Sequence, residues 1–225
     1  MKLNKFAAAG ATLALAVGSV LGLGAAANAI DVPIDQIGVE GESYPAGTWF
    51  LGNPVGDPLS QDATGLTIPG QNQLLYGQTT SVASAEAFTT LIGGASFEAS
   101  GTATFQVPVY FSPDASDEGN AKQFTTLRPE TPGTPLTTTN WISSYNLPQL
   151  GLTKNTPVPF ATIAAAFDDA DAVDPEILAF GVFVNPGDEA VLESVTWSGA
   201  TWTFATPVVT AEVPTPIEDS ASFTG

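Results

Sequence analysis

The sequence predicts an all-β fold, a two-sheet antiparallel β-sandwich of the jelly-roll kind with one short helix near residues 159–167. Three observations predict it. The stretch TATFQVPVYF alternates Phe105, Val107, Val109 and Phe111 with Gln106, Pro108 and Tyr110, the two-residue period of a strand buried on one face. The stretch EILAFGVFV, residues 176–184, is apolar on both parities, as in a central strand covered on both sides. Between such runs stand GNPVGDP, IPGQNQ, SPDASDEGN, RPETPGTP and VNPGDE, the Gly/Pro punctuation of turns joining short strands.

Further strands are expected over residues 48–51, 65–68, 73–76, 95–99 and 123–127. Pro108 has no N–H to give a ladder, so its strand should lie at an edge or carry a bulge. The helix rests on Phe160, Ile163, Ala164 and Phe167, spaced i, i+3, i+4 and i+7, with Pro159 where a first-turn proline is tolerated. Asp168, Asp169 and Asp171 then fall at its C-terminal end, where the macrodipole disfavours negative charge. Solvent or a cation would have to relieve that conflict.

The stretch VTWSGATWTF sets two tryptophans around a Ser-Gly pair. A two-residue turn at Ser198-Gly199 would pair Trp197 with Ala200 and Val195 with Trp202. Alternation then gathers Val195, Trp197, Ala200, Trp202 and Phe204 on one face and leaves Ser194, Thr196, Thr201 and Thr203 on the other. This reading makes the tryptophans core; a three-residue turn would leave one exposed as a sugar-stacking surface.

Residues 1–29 read as a secretory signal peptide. Lys2 and Lys5 precede an Ala/Leu/Val/Gly run that closes on Ala27-Asn28-Ala29, an A-x-A cleavage site. The expectation is a secreted, extracellular protein beginning at Ile30, a single domain over residues 30–206, and an extended, disordered tail over residues 207–225. The tail carries neither an L-P-x-T-G sorting signal nor an apolar segment, and no membrane association is expected after cleavage.

The leader removes two of the five basic residues and none of the 23 acidic ones. Lys122, Arg128 and Lys154 remain, too few for a phosphate-neutralising patch, so nucleic acid and anionic lipid are not expected partners. The chain has no histidine and no cysteine. Ser-His-Asp triads, Cys-His dyads and zinc, haem or iron–sulfur ligation through these side chains are thereby excluded. Carboxylate chemistry survives, either as an acid/base pair for glycoside hydrolysis or as oxygen ligands for Ca²⁺. No spacing among the carboxylates selects a catalytic pair, and no catalytic residue is assigned.

The candidate ligand-binding residues lie in TTTNWISSYNLPQLG, where Trp141, Tyr145, Asn140 and Asn146 combine aromatic faces with amides. Trp49 and Tyr76 stand beside turn residues as further aromatic candidates. Two acidic loops raise the metal question. One offers Asp114, Asp117, Glu118 and Asn120; the other offers Asp168, Asp169, Asp171 and Asp174, the assigned Ca²⁺ candidates. Neither has the spacing of a helix-loop-helix calcium site, and solvated loop is the default. Arg128, the only arginine, is expected to form a structural ion pair with one of the many carboxylates.

The closing strands, ILAFGVFVNPGDEAVLESVTWSGATWTF, resemble the last hairpin of jelly-roll carbohydrate-binding modules and related exported actinobacterial sandwiches. The resemblance implies the sandwich fold and transfers no site residue. Together these readings lead to a secreted, non-catalytic binding protein for a polysaccharide or cell-envelope component. A neutral glycan is favoured because no basic strip is visible. The alternatives are a structural or adhesive surface protein without a small ligand and, third, a carboxylate-based glycoside hydrolase.

Overall fold

The computed structural model describes residues 29–41, 44–52, 57–116, 120–133 and 135–206. Residues 1–28 of the expected leader (1–29), the expected tail over 207–225, and Asp117 and Glu118 lie outside the described residues. In chain order the strands are β1 (Ile30–Asp31), β2 (Gly38–Val39), β3 (Trp49–Gly52), β4 (Ser60–Asp62), β5 (Gly65–Pro69), β6 (Gln73–Ser81) and β7 (Ser96–Gly101). The second half adds β8 (Thr104–Tyr110), β9 (Phe124–Pro129), β10 (Asn140–Ser143), β11 (Val158–Pro159), β12 (Glu176–Phe183), β13 (Glu189–Trp197) and β14 (Ala200–Thr203). Two helices accompany them, α1 (Ala85–Gly93) and α2 (Phe160–Ala165), the latter extended by a 3₁₀ turn over Ala166–Asp168.

The strands form the expected two-sheet sandwich. The larger sheet runs β11-β10-β9-β8-β12-β6-β3-β2, antiparallel except for the short β2–β3 pair. The smaller runs β1-β14-β13-β5-β4, with β7 also paired to β13. β7 spans residues 190–196 of β13, so β5, at 189–192, and β14, at 194–197, must share its other edge end to end.

The terminal hairpin has the register expected of it, Trp197↔Ala200 and Val195↔Trp202. Ser198 (φ 50°) and Gly199 (φ 81°) are both left-handed, as a type I′ turn requires. Both tryptophans are core. Trp197 stacks on Phe180 of the facing sheet at 4.7 Å and 11°, while Trp202 meets Trp49 edge-on at 5.9 Å. A register shift between Leu192 and Ser194 lets β13 keep Ala190 and Leu192 inward before the shift and Val195 and Trp197 inward after it.

Pro108 is accommodated by a bulge, and β8 is not an edge strand. It lies between β9 and β12, and its pairing with β12 slips from Ile177↔Val109 to Gly181↔Gln106, opposite the proline. The strand is also covered on both faces: Gln106 is only 2% exposed, its Nε2 donating to the Val182 carbonyl at 3.2 Å. The alternation that suggested one solvated face missed the cover contributed by neighbouring strands.

α2 lies where the sequence puts it, but α1 is a second helix that the β-dominated reading passed over. Its signals are local: Ser84 caps it by accepting from the Ala87 N–H, and Phe88 and Ile92 point inward at i and i+4. Phe88 stacks on Phe167 at 4.3 Å and on Phe160 at 5.8 Å, so the helices close one end of the sandwich together. No helix among the described residues is long and apolar enough to cross a membrane.

Candidate ligand-binding face

β9 divides its side chains between two environments. Thr125 and Leu127 are buried toward the core; Phe124, Thr126 and Arg128 project from the opposite, outer face of the larger sheet. On that face Phe124 stands opposite Tyr110 of β8, with ring centroids 5.4 Å apart at 62°. Tyr145 continues the row, 5.9 Å from Phe124 at 66°.

The position of Tyr145 is set by a hydroxyl cluster below it. The Thr125 and Ser143 hydroxyls share a hydrogen at 2.8 Å, Ser143 Oγ donates to the Tyr145 carbonyl at 2.7 Å, and the Ser144 N–H donates to Thr125 Oγ1 at 3.0 Å. The backbone is thereby fixed while the residue stays 48% exposed. Neither the Tyr145 nor the Tyr110 hydroxyl is bonded to a described residue, leaving both able to donate to a ligand.

Lys122, Arg128 and Lys154, the basic residues beyond Lys5, all border this face. Lys122 Nζ lies 5.3 Å from the Tyr110 ring centroid, and Lys154 Nζ lies 5.8 Å from that of Tyr145. Arg128 reaches across β8 to place its guanidinium 5.2 Å from the Phe183 ring of β12. The expected structural ion pair is absent: Arg128 makes no ion pair with any described residue. Burial lowers its pKa, since no carboxylate offsets the lost hydration.

The far end of the face is closed by Tyr44, whose ring sits 5.3 Å from Phe50. Burial pushes the Tyr44 phenol well above the ordinary tyrosine range, and Glu40 and Tyr110 add in the same direction. Gly77 makes this approach feasible. A Cβ there would overlap the Pro45 carbonyl, and Gly77 exchanges hydrogen bonds with Gly47 and Thr48.

The four residues proposed from the sequence are split. Tyr145 belongs to the outer row, and Asn146 supports it by accepting the Lys154 N–H at 2.8 Å, which holds that lysine beside the ring. Trp141 points the other way. It is fully buried between Phe88 and Phe160 and donates Nε1 to the Leu136 carbonyl at 2.7 Å, so it has no open face for a sugar. Adjacent strand residues point to opposite faces, so Trp141 and Asn140 cannot act together; Asn140 is exposed and donates to Glu130 Oε2 at 3.3 Å.

Trp49, at 3% exposure, is likewise core. With Tyr76, Trp202 and the first strand it lines a cleft of about 480 Å³, but the tryptophans offer it little ring surface.

The second acidic loop is tied up locally. Asp168 Oδ1 accepts the Ala85 N–H at 2.9 Å, so the first turn of α1 relieves the conflict expected at the end of α2. Asp169 Oδ1 accepts the Asp171 N–H at 2.9 Å, and Asp174 adopts φ 53°. The Asp171 carbonyl accepts from Ser112 Oγ and Gln123 Nε2. This joins the two acidic loops, and Asp114 and Asp171 line one cleft of about 380 Å³. No three His, Cys, Asp or Glu side chains among the described residues are grouped to hold a metal ion.

Fold and face together define a two-sheet β-sandwich whose larger sheet carries an aromatic row edged by cations on its outer side. No family model, curated protein or solved structure matches the chain.

Proposed function

We propose that this protein is a secreted, non-catalytic binding protein for a polysaccharide or another cell-envelope component, held on the outer face of the larger sheet. The observation that carries the proposal is the Tyr110–Phe124–Tyr145 row, with a half-open terminal ring and unbonded phenol hydroxyls. Such a row supplies apolar area and polar handles together, the combination a sugar ring requires. The Lys154 contact does not block it, because an exposed cation–π pair is worth only about 0.5–1 kcal/mol and yields readily to a ligand. On this reading the resemblance of the closing strands to jelly-roll carbohydrate-binding modules is one of activity as well as of sequence.

The test is retention of the protein, from Ile30 onward, on purified cell-wall polysaccharides, with Tyr145→Ala as the variant. Retention lost in the variant at an unchanged melting temperature supports the proposal. Equal retention of both proteins refutes the row as the site, and release of soluble sugar by the wild type would make the protein a hydrolase.

A further inference from the structure

We infer that the ligand of this face is a carboxylate-bearing polysaccharide, with Arg128 as the carboxylate clamp; the inference rests on the binding role proposed above. The expectation of a neutral glycan assumed that the three basic residues form no strip. The fold instead brings Lys122, Arg128 and Lys154 to one face of one sheet, each over an aromatic ring.

Arg128 carries the argument. In a sequence with 23 acidic residues its guanidinium meets no carboxylate among the described residues, although burial has already stripped part of its hydration. A half-buried guanidinium with unused donors suits a planar, monoanionic partner, which it binds through two parallel N–H···O bonds. The Phe183 ring, 5.2 Å from the guanidinium carbon, holds the group beside an apolar surface without consuming those donors.

The surroundings direct charge to this end. Thr126, Ile142 and Gln106, its neighbours by strand register, are uncharged. Glu130, two residues on, accepts from Asn140. The other carboxylates of the face lie at its far side, Glu176 opposite Tyr110 and Glu40 beside Tyr44. Phe124 and Arg128 are four residues apart on β9, roughly 13 Å at a strand's rise. One chain can therefore lay sugar rings on the row and a carboxylate on the fork. The net negative charge of the protein opposes a polyanion at long range, but at physiological salt that field is screened within about 8 Å, whereas the contact at Arg128 is not.

The experiment is calorimetric titration of the protein, in 0.15 M NaCl, with oligomers of galacturonate, glucuronate and mannuronate, each beside its carboxyl-reduced neutral counterpart. At least one acidic oligomer should bind about tenfold more tightly than its reduced form, the scale of one charge-assisted contact. Arg128→Gln should abolish that preference, so that acidic and reduced oligomers bind the variant alike, and Tyr145→Ala should weaken both forms. Equal binding of acidic and reduced oligomers, or a preference that survives Arg128→Gln, overturns the inference and leaves the binding role standing. Failure of every oligomer, together with failure of wall polysaccharide to retain the protein, overturns both.

Discussion

Trp197 offers the most direct test of the hairpin and of the core it closes. The residue is 1% exposed, its ring stacks on Phe180 at 4.7 Å and lies 6.1 Å from Phe105, yet its buried Nε1 has no hydrogen-bond partner among the described residues. Truncating a buried tryptophan to alanine costs about 3–5 kcal/mol. Removing the unpaired donor offsets part of that, since an unsatisfied buried group costs about 1–3 kcal/mol. The expected loss for Trp197→Ala is therefore at the low end, about 3 kcal/mol, or roughly 10 °C in melting temperature for a chain of this size. Trp197→Phe keeps the stack and deletes the donor, so it should stay within about 1 kcal/mol of wild type. Trp141→Phe reverses that logic: it breaks the 2.7 Å bond to the Leu136 carbonyl and strands a buried acceptor, costing about 1–3 kcal/mol. Urea unfolding at constant m-value gives the ordering. An unchanged midpoint for Trp197→Ala would show that the ring is not core, and a Trp197→Phe loss exceeding that of Trp141→Phe would refute the hydrogen-bond accounting.

Tyr44 should make the protein alkali-sensitive. Its raised folded-state pKa means that the folded state holds the phenolic proton more tightly, so this stabilisation is fully present below the unfolded phenol pKa of about 10 and is lost as pH rises through the folded value. Tyr44→Phe should flatten the decline in stability above pH about 10, and an identical pH profile would contradict the assignment. Asp168→Ala should lower stability by about 0.5–1 kcal/mol through the first turn of α1, seen as a reduced urea midpoint; no change would mean that the exposed carboxylate does not support the helix. Millimolar Ca²⁺ should raise the melting temperature no more than NaCl at matched ionic strength, because Asp168 and Asp169 already accept backbone N–H groups; a calcium-specific rise abolished by Asp169→Ala would reveal a site. The intact mass of protein recovered from culture medium should correspond to a chain starting at Ile30, and recovery with residues 1–29 attached would refute the cleavage site.

The sandwich and its closing hairpin were legible because period-2 alternation and a Ser-Gly turn act locally, and Trp197↔Ala200 follows from them directly. α2 was legible for the same reason. α1 was not, because the nine residues AEAFTTLIG, with two threonines and an isoleucine among strands, give a weak signal outside the Ser84 cap. The site was half legible. Tyr145 and Asn146 share a loop, but the partners of Tyr145 come from β8 and β9, which only tertiary pairing brings beside it. Trp141 was misread because its flanking polar residues resemble a loop, whereas strand alternation turns its ring inward. Arg128 illustrates the limit of composition: abundant carboxylates made an ion pair the natural expectation, but charge counts carry no direction.

The sharing of β13 by three strands has a consequence in time. β13 begins at Glu189 yet orders residues 66–69, 96–101 and 200–203, while β12, from Glu176, joins residues 73–81 to 104–110. A growing chain that stops short of residue 176 lacks the strand that joins β8–β11 to β2, β3 and β6, and the strand on which β5, β7 and β14 meet. Pairings this distant in sequence also form slowly. The two sheets should therefore be completed, and the sandwich closed, only once the last quarter of the polypeptide has been made.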